Sequence, residues 1–140
     1  MKQSRIEKIF ENKQIKPTSV RELVLKVFMA KDFAISMSDI ENELPWSDRA
    51  TIFRTLQTFE RNALIHSIDD GQKAKKYALC SDECEFRHHE IHPHFHCEEC
   101  HKTLCVTALN FLVPKLPEDY MINSYSLIIN GICPDCKSQG

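Results

Sequence analysis

Apolar and polar positions follow two different periods along this chain, and the change between them divides it. Val20, Leu23, Val24, Val27 and Phe28 recur at i, i+3, i+4, i+7 and i+8, the stripe of an amphipathic helix. Pro17-Thr18-Ser19 breaks the chain just before it and supplies a helix start. A shorter helix is predicted over Ile6–Asn12, with Ile6, Ile9 and Phe10 on one side. Ser38-Asp39-Ile40-Glu41 reads as a capping box that opens another helix, which Pro45 ends. Ser47 then caps a further helix, whose stripe includes Ile52, Leu56 and Phe59 and which runs to about Asn62. Beyond it the period drops. Leu64–Ile68 and Lys75–Leu79 read as strands joined by the turn Asp69-Asp70-Gly71.

Three helices with short connections, followed by a β-hairpin, is the element order of a winged helix-turn-helix. In that order the helix from about Ser47 to Asn62 is the recognition helix. Its N-terminal part offers Arg49, Thr51, Arg54 and Thr55, residue types that reach phosphates and base edges. The pattern alone fits a solvated charged helix face as well. After Leu79 no clear period survives. Residues 81–96 are polar, and five of these sixteen are His, so they read as a connector that also supplies ligands. Two further strands are expected over Lys102–Thr107 and Ser124–Asn130, with a short helix near Leu109–Val113 cut by Pro114.

Composition narrows the class. The 140 residues suit one ordinary domain or two small ones. A hydrophobic share of 42% against 27% charged is an ordinary soluble balance. No apolar run is long enough to span a bilayer, so no membrane association is expected. Met1–Lys8 carries no apolar core behind its charges, so a cytoplasmic location is expected, where seven Cys do not form a disulfide framework. Charge is uneven. Residues 1–80 hold 14 Lys/Arg against 11 Asp/Glu, whereas residues 81–140 hold 4 against 9. Every His and Cys lies at or after His66. A nucleic-acid-facing part followed by a metal-holding part accounts for both asymmetries, while on charge alone a chance imbalance is the competing reading.

Cys97-Glu98-Glu99-Cys100 and Cys133-Pro134-Asp135-Cys136 are two C-x-x-C pairs. Each places two thiolates on one side of a tight knuckle, and two knuckles complete a tetrahedral cage that fits zinc. Four thiolates leave no open position, so this zinc is structural. Left over are Cys80, Cys84 and Cys105, with seven histidines. If His92-Pro93-His94-Phe95-His96 is extended, its histidines share one face and Phe95 points the other way, into a core. A surface histidine tract is the competing reading. Cys80 and Cys105 are either ligands or small buried hydrophobes. As ligands, thiolates with imidazoles suit zinc better than iron, manganese or magnesium.

Taken together these residues resemble the ferric uptake regulator superfamily. The resemblance rests on Lys16-Pro17-Thr18-Ser19-Val20-Arg21, on Ala50-Thr51-Ile52-Phe53-Arg54-Thr55-Leu56, and on Ala63-Leu64-Ile65-His66. It continues through His92-x-His94-x-x-Cys97-x-x-Cys100 and Gly131-Ile132-Cys133-x-x-Cys136, and covers about Ile15 to Cys136. It implies an α+β chain, with an N-terminal winged helix-turn-helix followed by a small α/β dimerisation domain bearing the four-cysteine structural zinc site. The boundaries expected are 1–80 for the DNA-binding domain, 81–91 for a hinge and 92–140 for the dimerisation and metal-binding domain. It also implies contact with double-stranded operator DNA through Lys16, Thr18, Arg21, Arg49, Thr51, Phe53 and Arg54.

Departures from the family pattern refine the expectation. His101 stands where a Gly usually follows the first C-x-x-C. Positions aligned to the oxygen-rich accessory site of iron-type members carry Ile91, Pro93, Leu112 and Tyr125, so that site is absent. Cys105 stands at a usual ligand Glu. His66 after the recognition helix and Tyr77-Ala78-Leu79-Cys80 at the end of the wing are similar to zinc uptake regulators. The resemblance therefore implies a second, regulatory zinc held by His66, Cys80, Cys105 and a histidine of the His92–His96 run, with Fe²⁺ the weaker candidate; the iron-type pattern puts His92 and His94 in the site, and the zinc-type pattern leaves open which histidine serves. This zinc joins the two parts of a homodimer's chain, and its binding fixes how two wings meet major grooves about 34 Å apart. The reading is a zinc-sensing repressor of metal uptake genes. Alternatives are an iron or peroxide sensor of the same family, and a purely structural zinc-binding interaction protein. No enzyme and no small-molecule substrate are expected. His88-x-Glu90 with Cys97-x-x-Cys100 superficially matches a zinc deaminase pattern, but only six residues separate Glu90 from Cys97, with no room for the intervening helix and strand.

Overall fold

The computed structural model describes residues 4–80, 93–106, 115–123 and 126–139. The chain forms two compact units, Met1–His88 and His89–Gly140. The first contains α1 (Arg5–Asn12), α2 (Ser19–Met29), β1 (Ile35–Ser36), α3 (Met37–Glu43), α4 (Arg49–Arg61), β2 (Ile65–Ile68) and β3 (Lys76–Leu79). The second contains β4 (His94–Cys97), β5 (Thr103–Cys105), β6 (Ile128–Gly131) and α5 (Pro134–Gln139). The expected helix near Leu109–Val113, the insertion Ser81–Glu90 and His92 lie outside the described residues.

In the first unit the helical stripes meet as the periodicity requires. Phe10, Val24, Leu25, Phe28, Ile40, Ile52, Leu56 and Phe59 form one core with Ile35 and Ile65. Each fully buried large side chain contributes about 1.5–3 kcal/mol of apolar transfer. The rings of Phe10 and Phe59 lie 5.9 Å apart and tilted by 47°. The stripe of α2 is rotated from the expected one: Leu25 is fully buried, while Val20, Leu23 and Val27 pack on its margin.

Helix ends show where side-chain chemistry overrode the simplest reading. Thr18 caps α2, accepting from the Arg21 N–H at 3.2 Å. The box that opens α3 is Ser36 with Asp39, not Ser38 with Glu41: Ser36 Oγ accepts from Asp39 N–H, and Asp39 accepts from Ser36 N–H. Ser36 ends β1, which pairs with β3 through Ile35↔Tyr77, so the chain must turn there. Asp48, rather than Ser47, is the N-cap of α4, and its side chain makes no capping bond. Helices α1 and α4 both end in Schellman motifs without glycine. Gln14 and Ala63 hold φ +58° and +60°. Ile15 N–H reaches Phe10 C=O at 2.8 Å, and Leu64 N–H reaches Phe59 C=O at 2.9 Å. All four of those apolar partners are buried, so burial of the C″ residue holds each left-handed turn.

The wing is three-stranded, in the order β1-β3-β2 and antiparallel throughout. At its turn Gly71 adopts φ +83°, and Asp69 and Asp70 accept from the N–H groups of Gly71 and Gln72. The fully buried carboxylate of Asp70 pairs with Lys76 Nζ at 3.0 Å. Helices α3 and α4 with this hairpin make the winged helix-turn-helix.

The second unit is a sheet in the order β5-β4-β6, with β4 antiparallel to β5 and parallel to β6. Register decides what meets what. His94 faces Cys105, His96 faces Thr103, and Cys97 faces Gly131. The expected inward face of β4 is reversed: His94 and His96 are buried, while Phe95 is half-buried with its ring over Gly131. A buried imidazole is tolerable here because His96 Nδ1 meets Thr103 Oγ1 at 3.0 Å.

Candidate metal centres and nucleic-acid face

The β4–β6 register sets Cys97 beside Gly131, two residues before Cys133. The C-terminal residue of β4 thereby starts one knuckle while the end of β6 leads into the other. Glu98 N–H donates to Gly131 C=O at 2.8 Å, and Cys133 N–H donates to Cys97 Sγ at 3.4 Å. The first knuckle closes through His101 N–H to Cys97 C=O at 2.9 Å. His101 must take φ +64° to do so. The second closes through Lys137 N–H to Cys133 C=O at 2.9 Å, with Cys136 on α5.

The ligand atoms of Cys97, Cys100, Cys133 and Cys136 all lie within 4.8 Å of one another, and the Sγ atoms of Cys100 and Cys133 are 3.9 Å apart. A tetrahedron of sulfurs at 2.3 Å from one zinc has edges of about 3.8 Å. The donor set and its spacing therefore fit a tetrahedral thiophilic ion. Electrostatics agree. The Cys97 thiol is brought down to about 6, first by the backbone N–H of Cys100 and then by those of Cys133 and Glu99, with burial opposing. The Cys136 thiol is pushed up to about 12, first by its hydrogen bond with Cys133, then by burial and by the sulfurs of Cys100 and Cys97. Sulfurs this crowded cannot all ionise unless a cation lies among them.

Two smaller His–Cys arrangements stand apart from this cage, one in each unit. In the first unit His66 sits on β2 and Cys80 follows β3. The Nδ1···Sγ distance is 3.4 Å. Cys80 is placed by its N–H bond to Leu64 C=O at 2.9 Å. In the second unit His94 and Cys105 occupy directly opposed positions of β4 and β5, so they share a sheet face, and their ligand atoms come within 4.8 Å. His94 is buried and Cys105 exposed. None of the described cysteines is in a disulfide; Cys84 lies outside the described residues.

The exposed face of α4 carries Arg49, Ala50, Phe53, Arg54 and Gln57, while Ile52, Thr55, Leu56 and Phe59 are buried. Thr55 is buried, and its hydroxyl donates back to Thr51 C=O at 2.8 Å. Thr18, Arg21, Thr51 and Arg54 line a shallow groove of about 340 Å³ between the start of α2 and α4. Arg21 Nη1 donates to Lys16 C=O at 2.7 Å, tying the segment before α2 to its first turn. Arg49 Nε lies 3.7 Å from Glu41 Oε1, a loose surface pair. Sequence reasoning missed Trp46, whose indole is 63% exposed just before this helix. A turn residue has no period to betray it.

Comparisons with known proteins agree with this architecture. The chain is 25% identical to the ferric uptake regulation protein of Campylobacter jejuni over 146 residues, covering 96% of this chain and 88% of that one. Among solved structures, a zinc uptake regulator complexed with zinc and DNA superimposes with a TM-score of 0.67 at 17% identity, covering 98% of each chain. The Helicobacter pylori ferric uptake regulator does so with a TM-score of 0.60, also at 17% identity, covering 98% and 97%. These likenesses to solved structures establish the fold. Residues 12–111 match the model of the ferric uptake regulator family. The chain therefore belongs to that family, whose members are metal-responsive, DNA-binding transcription regulators and not enzymes.

Proposed function

We propose that this chain is a zinc-responsive repressor of metal uptake genes, acting as a homodimer on double-stranded operator DNA. The observation that carries the reading is the division of ligands: one complete four-thiol cage within the second unit, and one His–Cys pair in each unit. Cys97, Cys100, Cys133 and Cys136 hold a structural zinc that staples β4, β6 and α5. A second, regulatory zinc is held by His66 and Cys80 from the winged unit together with Cys105 and either His94 or His92 from the other. Zinc takes four ligands, so either pair alone is an incomplete site. An ion that needs both pairs binds only one arrangement of the two units, and its binding free energy biases them toward it. Residues 1–80 act as the DNA-binding part, 81–91 as the hinge and 92–140 as the dimerisation part. Exposed Leu116, Tyr120, Met121, Ile122, Ile129 and Ile132 supply apolar surface for pairing with a second copy.

DNA is held by Lys16, Thr18, Arg21, Arg49, Thr51, Phe53 and Arg54, with α4 in the major groove. Lys16 and Arg21 act together, since Arg21 grips the Lys16 carbonyl. Iron sensing is the second reading, favoured by the ferric uptake regulation protein among its relatives. Two thiols in the regulatory set weigh against it, because soft sulfur prefers zinc to Fe²⁺. The test loads metal-depleted protein with zinc or Fe²⁺ and measures its affinity for a duplex selected from a random library. The expected result is at least a tenfold gain with zinc and little with Fe²⁺. Equal affinity with and without metal overturns the switch.

A further inference from the structure

The winged unit hides its large apolar side chains almost completely. Among its described residues only Trp46, at 63%, and Phe53, at 46%, are large hydrophobics left exposed. Both sit at the same end of the same helix. Phe53 lies on the outer face of α4, and Trp46 lies two residues before its N-cap Asp48. Exposed aromatic surface costs solubility without adding to the core, so two such side chains at and before the first turns of one helix mark a contact.

Trp46 is also held in place. Ser47 N–H donates to Leu44 C=O at 3.0 Å, closing a β-turn with Pro45 and Trp46 at its two central positions. Pro45 fixes φ at the first of these, and buried Leu44 anchors the turn to the core. The indole is therefore presented from a rigid tip, at little entropic cost to a ligand. The polar character of the helix that follows suits a polyanion: Arg49 and Arg54 are exposed on α4, and no carboxylate pairs with Arg54 among the described residues. Asp48, Glu43 and Glu41 are the acids nearest in sequence; Glu43 pairs with Lys31 and Glu41, loosely, with Arg49.

We propose that Trp46 is a specificity-determining residue of the DNA-binding face, packing its indole against the C5-methyl group of a thymine where α4 enters the major groove. This rests on the DNA-binding reading above. The methyl group is the apolar feature of the major-groove floor, and it is the one a neutral aromatic side chain distinguishes. Trp46 thus adds sequence discrimination without adding charge, unlike Arg49 and Arg54.

The experiment uses the zinc-loaded full chain and a duplex it selects from a random 30-base-pair library. Each thymine of that duplex is replaced in turn by uracil, which removes the methyl group alone. For the parent, at least one replacement should weaken binding about three- to tenfold, the scale expected for one buried methyl group with its packing. Trp46→Ala should bind the thymine and uracil forms of that position equally, with the salt dependence of the parent, because no phosphate contact is lost. Trp46→Phe should keep part of the preference. Trp46 is the only tryptophan, so its emission should shift when the selected duplex is added to the parent. Uracil tolerated at every position overturns the proposal, as does a penalty that persists undiminished in Trp46→Ala. A uniform loss across all duplexes in Trp46→Ala makes the contact sequence-independent and also overturns it. If no duplex is selected at all, the DNA-binding reading itself fails.

Discussion

The second unit keeps a complete set of sulfur ligands to itself, whereas His66 and Cys80 in the first unit stop at two. The chemistry of the donors is similar, yet the consequence differs. In the cage each knuckle is closed by a backbone hydrogen bond of its own, the Cys133 N–H reaches across to Cys97 Sγ, and the pairing of β4 with β6 brings the knuckles together. A site supplied by one folded unit binds its ion as part of folding, so the ion is retained. A two-ligand pair has to find its remaining ligands elsewhere and pays an ordering cost each time the ion binds. On the proposed reading, permanence and responsiveness would follow from how ligands are partitioned along the chain, more than from which ligands they are.

The largest expected effect comes from breaking the cage. Cys133→Ser removes the ligand whose own N–H supports Cys97. Structural zinc supplies on the order of 10 kcal/mol of folding free energy in small metal-stapled domains. The variant should lose one zinc per chain and the amide-exchange protection of β4 and β6, while protection in α2 and α4 persists. A second unit that stays protected and metal-free would mean that its apolar packing suffices alone.

Cys80→Ser should act in the opposite way. The cage keeps its zinc and thermal stability changes little, but the second zinc is lost. Zinc-dependent affinity for the selected duplex should fall by about ten- to a hundredfold, a coupling of roughly 1.4–2.8 kcal/mol. Metal content and duplex affinity, measured on the same sample, separate the two sites. If Cys80→Ser still responds to zinc as the parent does, the His66–Cys80 pair is not part of the switch.

These contrasts track what could be read before folding. The cage was legible because a C-x-x-C knuckle is a local device, and its ligand spacing is fixed by four residues. The hairpin and the order of helices were legible for a similar reason: period and turn chemistry are properties of short windows. Cap positions were not. Ser36-x-x-Asp39 and Ser38-x-x-Glu41 offer nearly the same signal two residues apart, and pairing of Ile35 with Tyr77, forty-two positions on, selects between them. The ends of α1 and α4 carried no glycine signal, since Gln14 and Ala63 are held left-handed by the burial of Ile15 and Leu64. The inward histidines of β4 were misjudged against Phe95 because alternation says which residues share a face, not which face is covered. Thr103 stands opposite His96 and gives the buried imidazole a hydrogen-bond partner.

A smaller effect sharpens the account of the cage. Cys97, held near 6, is already largely thiolate at neutral pH, whereas Cys136, pushed up to about 12, must give up its proton when metal enters. Zinc uptake by the metal-free cage should therefore release fewer than four protons at pH 8. The number should rise by about half a proton on going to pH 6, as Cys97 becomes half protonated. Calorimetry of zinc binding in buffers of different ionisation enthalpy measures this count. A release that does not change across that interval would place the low-lying thiol elsewhere.

The smallest effect concerns His101. It takes φ +64°, in the left-handed region, to close the first knuckle, at a position where an L side chain costs about 1–2 kcal/mol over glycine. Glycine forfeits part of that gain through its freer unfolded chain. His101 also lies against His96, with ring centroids 6.0 Å apart, and glycine would lose this contact. His101→Gly should therefore stabilise the zinc-loaded protein by only about 0.5–1 kcal/mol in denaturant unfolding. Its duplex affinity should be unchanged, because the strain is local to the first knuckle. Destabilisation instead would mean that the stacking on His96 outweighs the backbone strain, so that the side chain at this knuckle is kept for packing.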